Sequence, residues 1–226
     1  MGDFVSYLLR VYSGLMYFGI TATNYSLSYY LPTVLTELGY SSSDAQVQTV
    51  PIYAAGLVVA LVTAWTSDRL HHRFSFVMIG VSINILGYIV LLAQATVSVK
   101  VRYMALYFVL CGLWIAGPVA IVWASNNLGG HYKRAIGVAI VNGMGNMAGF
   151  VASNVFIANQ APRYPVGYGV ILAMSVLAGV AATGLYLGLR RENRKRDRGE
   201  RDELFETSKE ELDNAGDDDP RFRFAL

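Results

Sequence analysis

Asn142 and Asn146 lie one helical turn apart in an otherwise apolar run, and they are the residues of this sequence best placed to do chemistry. A side-chain amide at membrane depth costs free energy unless it meets a partner, a cavity or a ligand. At ~100° per residue, Asn142, Asn146, Gly149 and Ser153 share one helix face. Gly145 and Gly149 form a small-xxx-small pair on the same side, which admits a neighbouring helix. An earlier run repeats the theme. Tyr17, Thr21, Asn24 and Ser28 are spaced by four, three and four residues and make a polar stripe, with Tyr25 and Tyr29 beside it. A third run holds Trp114 and Gly117-Pro118, a pair that can kink a helix and open a backbone carbonyl to a cavity. The candidate binding groups are therefore Asn24, Tyr25, Ser28, Trp114, Asn142 and Asn146. They donate and accept hydrogen bonds but carry no charge, so they suit binding rather than bond making. Interfacial tyrosines and helix-packing seams are the plainer readings of the same residues.

A second set of candidates sits between the apolar runs. Asp68 and Arg69 in SDRLHHR, and Lys133 and Arg134 after Gly130, are candidate gating charges. A helix cap and a positive membrane anchor are the simpler roles for the first pair. Asp68 and Arg69 could also form an ion pair with each other. His71 and His72 have no further ligands nearby in sequence and read as part of a solvated charge cluster.

The elements that must position these groups follow from the distribution of charge. The chain has 226 residues, of which 54% are hydrophobic and 15% charged, against about 25% charged in a soluble domain. No Asp, Glu, Lys or Arg occurs in 11–36, 45–67, 74–99, 103–130, 135–162 or 164–189. Each window exceeds the ~20 residues that cross a bilayer as a helix. The expectation is an all-α, polytopic membrane protein with six transmembrane helices at about 8–31, 45–66, 74–95, 102–125, 135–158 and 167–189. A soluble helical core fails, because helices without a charged face have nothing to show to water. Pro32 is expected to end or kink the first helix, and Ser43 or Asp44 to cap the second.

Polar stripes run along the first, second, fourth and fifth spans and are largely missing from the third and sixth, Asn84 being the main exception in the third. That is a three-plus-three pattern with the third member outside, as in transporters built from inverted repeats. Lys and Arg set the orientation. Fifteen fall on one side if the C-terminus is inside, and three on the other, which places both termini in the cytoplasm. From 191 to 226 the chain turns basic, then acidic, and is expected to be a charged and disordered cytoplasmic tail after a six-helix domain over 1–190.

An enzyme needs acid-base or metal groups facing a cavity, and the six charge-free windows hold no Asp, Glu, His, Lys or Arg. The single cysteine, Cys111, reads as packing, so no cofactor or metal is expected. The bilayer is the expected partner, and nucleic acid is not.

Several stretches carry a resemblance: YSLSYYLPTVLTELGYS, AQVQTVPIY, DRLHHR, WASNNLGGHYKRAIGVAIVNGMGNMAGFVASNVF and APRYPVGYG. Their order is similar to that in fungal permeases of the allantoate permease group, within the anion:cation symporter family of the major facilitator superfamily. The more specific parts are Asn126, Asn127, Gly130, Lys133 and Arg134, and the pair Gly145-Asn146. The resemblance implies a fold of twelve helices in two halves, with this chain as the C-terminal half. It further implies uptake of a small organic anion such as allantoate, nicotinate or a vitamin, coupled to protons, in the plasma membrane. A complementary N-terminal half or a second copy would then complete the cavity. The alternative is a truncated, non-transporting fragment that partners full-length permeases. No carboxylate lies within the spans, so a proton-carrying acid is expected in the missing half or near Glu37 and Asp44.

Overall fold

In the computed structural model, residues 2–161, 163–200, 219 and 221–226 are described. They form six long helices: α1 (Gly2–Glu37), α2 (Ser42–Leu70), α3 (Arg73–Leu92), α4 (Val99–Asn126), α5 (His131–Val155) and α6 (Pro165–Asp197). A single 3-10 turn, Ala158–Gln160, precedes α6. Helices α2 to α6 are long and apolar enough to cross a membrane. Helix α1 is diluted by its Ser, Thr, Asn and Tyr, but at 36 residues it is about 54 Å long, ample to span. It also runs alongside α5 and antiparallel to α6, as Tyr25 against Gly149 and Tyr12 against Gly184 show. The chain is an all-α, multi-pass membrane protein.

Local chemistry sets the helix ends. The N-cap of α2 is Ser41, not Ser43 or Asp44. Its hydroxyl accepts from the Asp44 backbone N–H at 3.2 Å and donates to the Asp44 carboxylate at 2.7 Å, a variant of the reciprocal capping box. His71 closes α2 in the left-handed region at φ 55°, with its N–H on the Ser67 carbonyl. Pro32 does not end α1, which continues to Glu37. A proline removes one helical hydrogen bond, and the turn beyond it is held by Val34 and Leu35, both buried.

Small residues bring the helices together. A Cβ on Gly80 would lie 2.6 Å from the Gly112 carbonyl oxygen, and one on Gly112 2.5 Å from that of Gly80. Backbones of α3 and α4 therefore touch, as small residues allow where the bilayer supplies no hydrophobic drive. Around this contact a polar chain is buried. Asn84 donates to the Val109 carbonyl at 2.9 Å, Ser175 donates to Asn84 Oδ1 at 2.7 Å, and Thr23 lies 3.4 Å from Ser175. This joins α1, α3, α4 and α6, so α3 and α6 are bound into the core by polar groups as well as by packing.

Of the 191–226 stretch, 201–218 and 220 lie outside the described residues. Helix α6 continues past 190 to Asp197, and residues 221–226 pack against the bundle end formed by the α2–α3 turn, the α4–α5 loop and the end of α6. This end also holds most of the described basic residues.

Candidate functional site

Helix α1 is the hub, because its polar residues fall on two faces. Ser13, Thr23 and Ser26 are buried, while Asn24 and Ser28 are exposed on the other side. Thr21 stands between the faces. Its hydroxyl donates within α1 to the Tyr17 carbonyl, 2.7 Å away, and lies 2.8 Å from the Gly145 carbonyl of α5. Gly145 makes that approach possible, since a Cβ there would lie 2.5 Å from the Tyr17 ring. The small-residue seam read from sequence is thus the α1–α5 contact.

A cavity of about 180 Å³ opens between α1 and α4. Tyr17, Thr21 and Asn24 line one wall, and Trp114, Gly117 and Pro118 the other. Pro118 has no N–H to give the Trp114 carbonyl one turn earlier, so that carbonyl loses its helical donor beside the cavity. The Trp114 indole N–H is buried and has no hydrogen-bond partner among the described residues. Among the described residues, no charged side chain lines this space.

One helix turn along α1, the Tyr25 hydroxyl donates to Asn146 Oδ1 at 2.7 Å. The Asn146 amide N–H groups stay available, and its side chain is exposed. Ser28 donates back to the Asn24 carbonyl at 2.9 Å. Asn142 is half-buried on α5 and is not among the residues lining the cavity. The structure therefore gathers Asn24 with Trp114, and Tyr25 with Asn146, at successive positions of α1.

The loop charges pair differently from the sequence reading. Asp68 binds Arg73 at 2.6 Å rather than Arg69, and Arg69 lies over the Trp65 ring at 4.2 Å. Arg73 is 8% exposed and also donates to Ser67 Oγ at 2.6 Å. The left-handed residue His71 turns the chain sharply enough to bring Arg73 back onto the end of α2. Arg134 donates to the Leu128 carbonyl at 3.3 Å and ties α5 to its own loop. Lys133 is half-buried on the same turn.

At the opposite end, Glu37 sits beside Tyr164, just beyond the apolar stretch of α1. Burial pushes the Glu37 carboxyl above its ordinary range, and the hydrogen bond with Tyr164 opposes that shift. The Tyr164 hydroxyl is itself raised, by burial first and then by Glu37.

Sequence reasoning missed Arg73, the Thr23–Ser175–Asn84 chain and the role of Asn127. Arg73 lay in plain view as a charge at a helix start. The buried chain joins residues up to 152 positions apart, and only packing brings them together.

The profile of the Major Facilitator Superfamily matches residues 13–216. The chain is 33% identical over 173 residues to an uncharacterized transporter of Schizosaccharomyces pombe, covering 76% of this chain and 34% of that protein. It is 33% identical over 215 residues to the MFS-type transporter cnsO of Penicillium expansum, covering 92% and 41%. It is 30% identical over 184 residues to the high-affinity nicotinic acid transporter of Saccharomyces cerevisiae, covering 81% and 34%. The chain thus spans between a third and two fifths of the length of these relatives. No solved structure matches it. Six packed helices, an uncharged cavity at the hub helix and a superfamily match over most of the sequence lead to one assignment: the chain belongs to the Major Facilitator Superfamily.

Proposed function

We propose that this chain acts as the C-terminal six-helix half of a twelve-helix permease that carries a small organic anion together with a proton. The observation that carries the reading is the cavity between α1 and α4, lined by neutral groups and adjoining the Tyr25–Asn146 pair. A carboxylate that has shed part of its water needs donors, and the amides of Asn24 and Asn146 offer them, with the Trp114 ring forming the facing wall. Asn142 would join them once a second half closes the space. The resemblance to the allantoate permease group and the nicotinic acid transporter of yeast support a carboxylate. Exposed apolar side chains on α2 and α5, such as Leu57, Leu61, Met147 and Phe150, suit lipid and a complementary six-helix half. Asp68, Arg69, Lys133 and Arg134 would brace the basic end during the cycle. That end faces the cytoplasm in this reading, in the plasma membrane, because positive residues stay inside.

The test is uptake of labelled nicotinate and other carboxylates in cells that lack the activity. The chain is expressed alone and with a matching N-terminal half, at several external pH values. Uptake that requires both halves and rises with external acidity is the expected result. A chain that reaches the membrane but gives no uptake in either setting would be a non-transporting partner of other permeases.

A further inference from the structure

We propose that the basic end of the bundle contains a groove that recognises an extended aromatic peptide, and that residues 221–226 of this chain fill it in cis. The segment RFRFAL alternates cation and aromatic ring, and an extended chain sends alternate side chains to opposite sides. Arg221 and Arg223 are exposed, whereas Phe224 is 3% exposed and lies against the bundle.

Two side-chain amides read the backbone of consecutive residues. Asn193 on α6 accepts from the Phe224 N–H and donates to the Phe224 carbonyl, both at 2.9 Å. Asn127, at the end of α4, accepts from the Ala225 N–H at 2.7 Å and donates to the Ala225 carbonyl at 3.1 Å. The Trp123 indole donates to that same carbonyl at 2.9 Å. The Arg73 backbone N–H, one of the donors a helix start leaves unpaired, meets the Leu226 carbonyl at 2.9 Å. The segment therefore touches α3, α4 and α6 at once, with its register set by the two asparagines.

The groove is built around buried charge. Arg196 and Glu192 are 7% and 5% exposed and lie 3.6 Å apart on α6. A buried pair is costly unless its remaining hydrogen-bonding groups are met. Arg196 donates to the Phe222 carbonyl at 2.8 Å and the Asp219 carbonyl at 3.1 Å, and its guanidinium lies 4.5 Å from the Phe224 ring centre. The segment thus bonds to and covers a cation that is buried at the end of α6. By linking α3, α4 and α6, it fastens three helices of the bundle together at this end.

The test uses the full chain in a Cys111→Ala background, with cysteines introduced as His72→Cys and Leu226→Cys beside the Arg73–Leu226 contact. A short bis-maleimide is expected to join them within one chain. Phe224→Ser alters only the segment, leaving the helices intact, and should lower the cross-linked fraction by about tenfold, as should Asn193→Leu. Arg221→Ala, on the exposed side, should leave it within about twofold. Excess synthetic PRFRFAL should further reduce what remains in Phe224→Ser. A cross-link that ignores Phe224→Ser overturns the proposal, and so does one recovered only between two chains.

Discussion

The Tyr25 hydroxyl of α1 and the Asn146 carboxamide of α5 meet at 2.7 Å with the tyrosine as donor. The direction matters. Oδ1 of Asn146 is occupied, so what this side chain presents outward is its two N–H groups. A site intended for an anion needs that orientation.

Asn146→Leu, made in a complete twelve-helix context, should raise the apparent Km for a carboxylate about ten-fold or more, since a hydrogen bond to a charged partner contributes about 1.5–3 kcal/mol. Tyr25→Phe should cost less, because it frees Oδ1 but keeps both N–H groups. Uptake kinetics normalised to surface protein decide it. An unchanged Km with lowered abundance assigns the pair to packing, where about 0.6 kcal/mol is at stake.

The contact of Gly80 with Gly112 predicts a sharp contrast among glycines. Gly80→Ala pushes a methyl into the backbone of α4, and overpacking of this kind costs about 1–3 kcal/mol. Gly143→Ala meets nothing within 4 Å and should be neutral or slightly stabilising, by up to about 1 kcal/mol from helix propensity. Thermal unfolding in one detergent compares the two directly, and equal shifts would mean that α3 and α4 do not touch as described.

Ser175→Ala removes the donor to Asn84 Oδ1 and leaves that oxygen buried. A loss of ~0.6–1.7 kcal/mol is expected. Asn84→Ala should cost more, because it also vacates space beside Gly112. Melting temperatures of the single and double variants form a cycle, and strict additivity would show that the two residues do not interact.

Asp68 is mostly exposed and Arg73 mostly buried, with side-chain exposures of 70% and 10%. An exposed partner contributes little to stability, about 0–1 kcal/mol. Asp68→Asn should therefore leave unfolding almost unchanged while slowing uptake in a complete transporter. Arg73→Ala should lower both. Full uptake in Asp68→Asn would reduce Asp68 to a helix-end charge.

Glu37 supplies a pH dependence with a definite sign. Its folded-state carboxyl is raised by burial, so the folded chain holds this proton more tightly than the unfolded one. Stability from this group is complete at low pH and declines as pH rises through the folded-state value. Glu37→Gln should flatten that part of a melting curve series taken from about pH 4 to about pH 7. A series unchanged by the substitution would place Glu37 in water.

Charge distribution alone determined that the chain is a bundle of apolar helices, because a bilayer forbids unpaired charge over ~20 residues whatever the neighbours are. The Gly145–Gly149 seam and the Asn24–Ser28 stripe were legible for a related reason. Both depend on helical periodicity within one element. Pairing between elements was not legible. Asp68 chose Arg73 over Arg69 because the left-handed turn at His71 points α3 back toward α2. Thr23, Asn84 and Ser175 became one chain only when three helices packed within a backbone's width of one another. The last six residues read as part of a charged tail, since Arg, Lys, Asp and Glu dominate the stretch from 191 onward. Their alternation of arginine with phenylalanine acquires meaning only where Asn127 and Asn193, 66 residues apart in sequence, stand ready to pair with the same stretch of backbone.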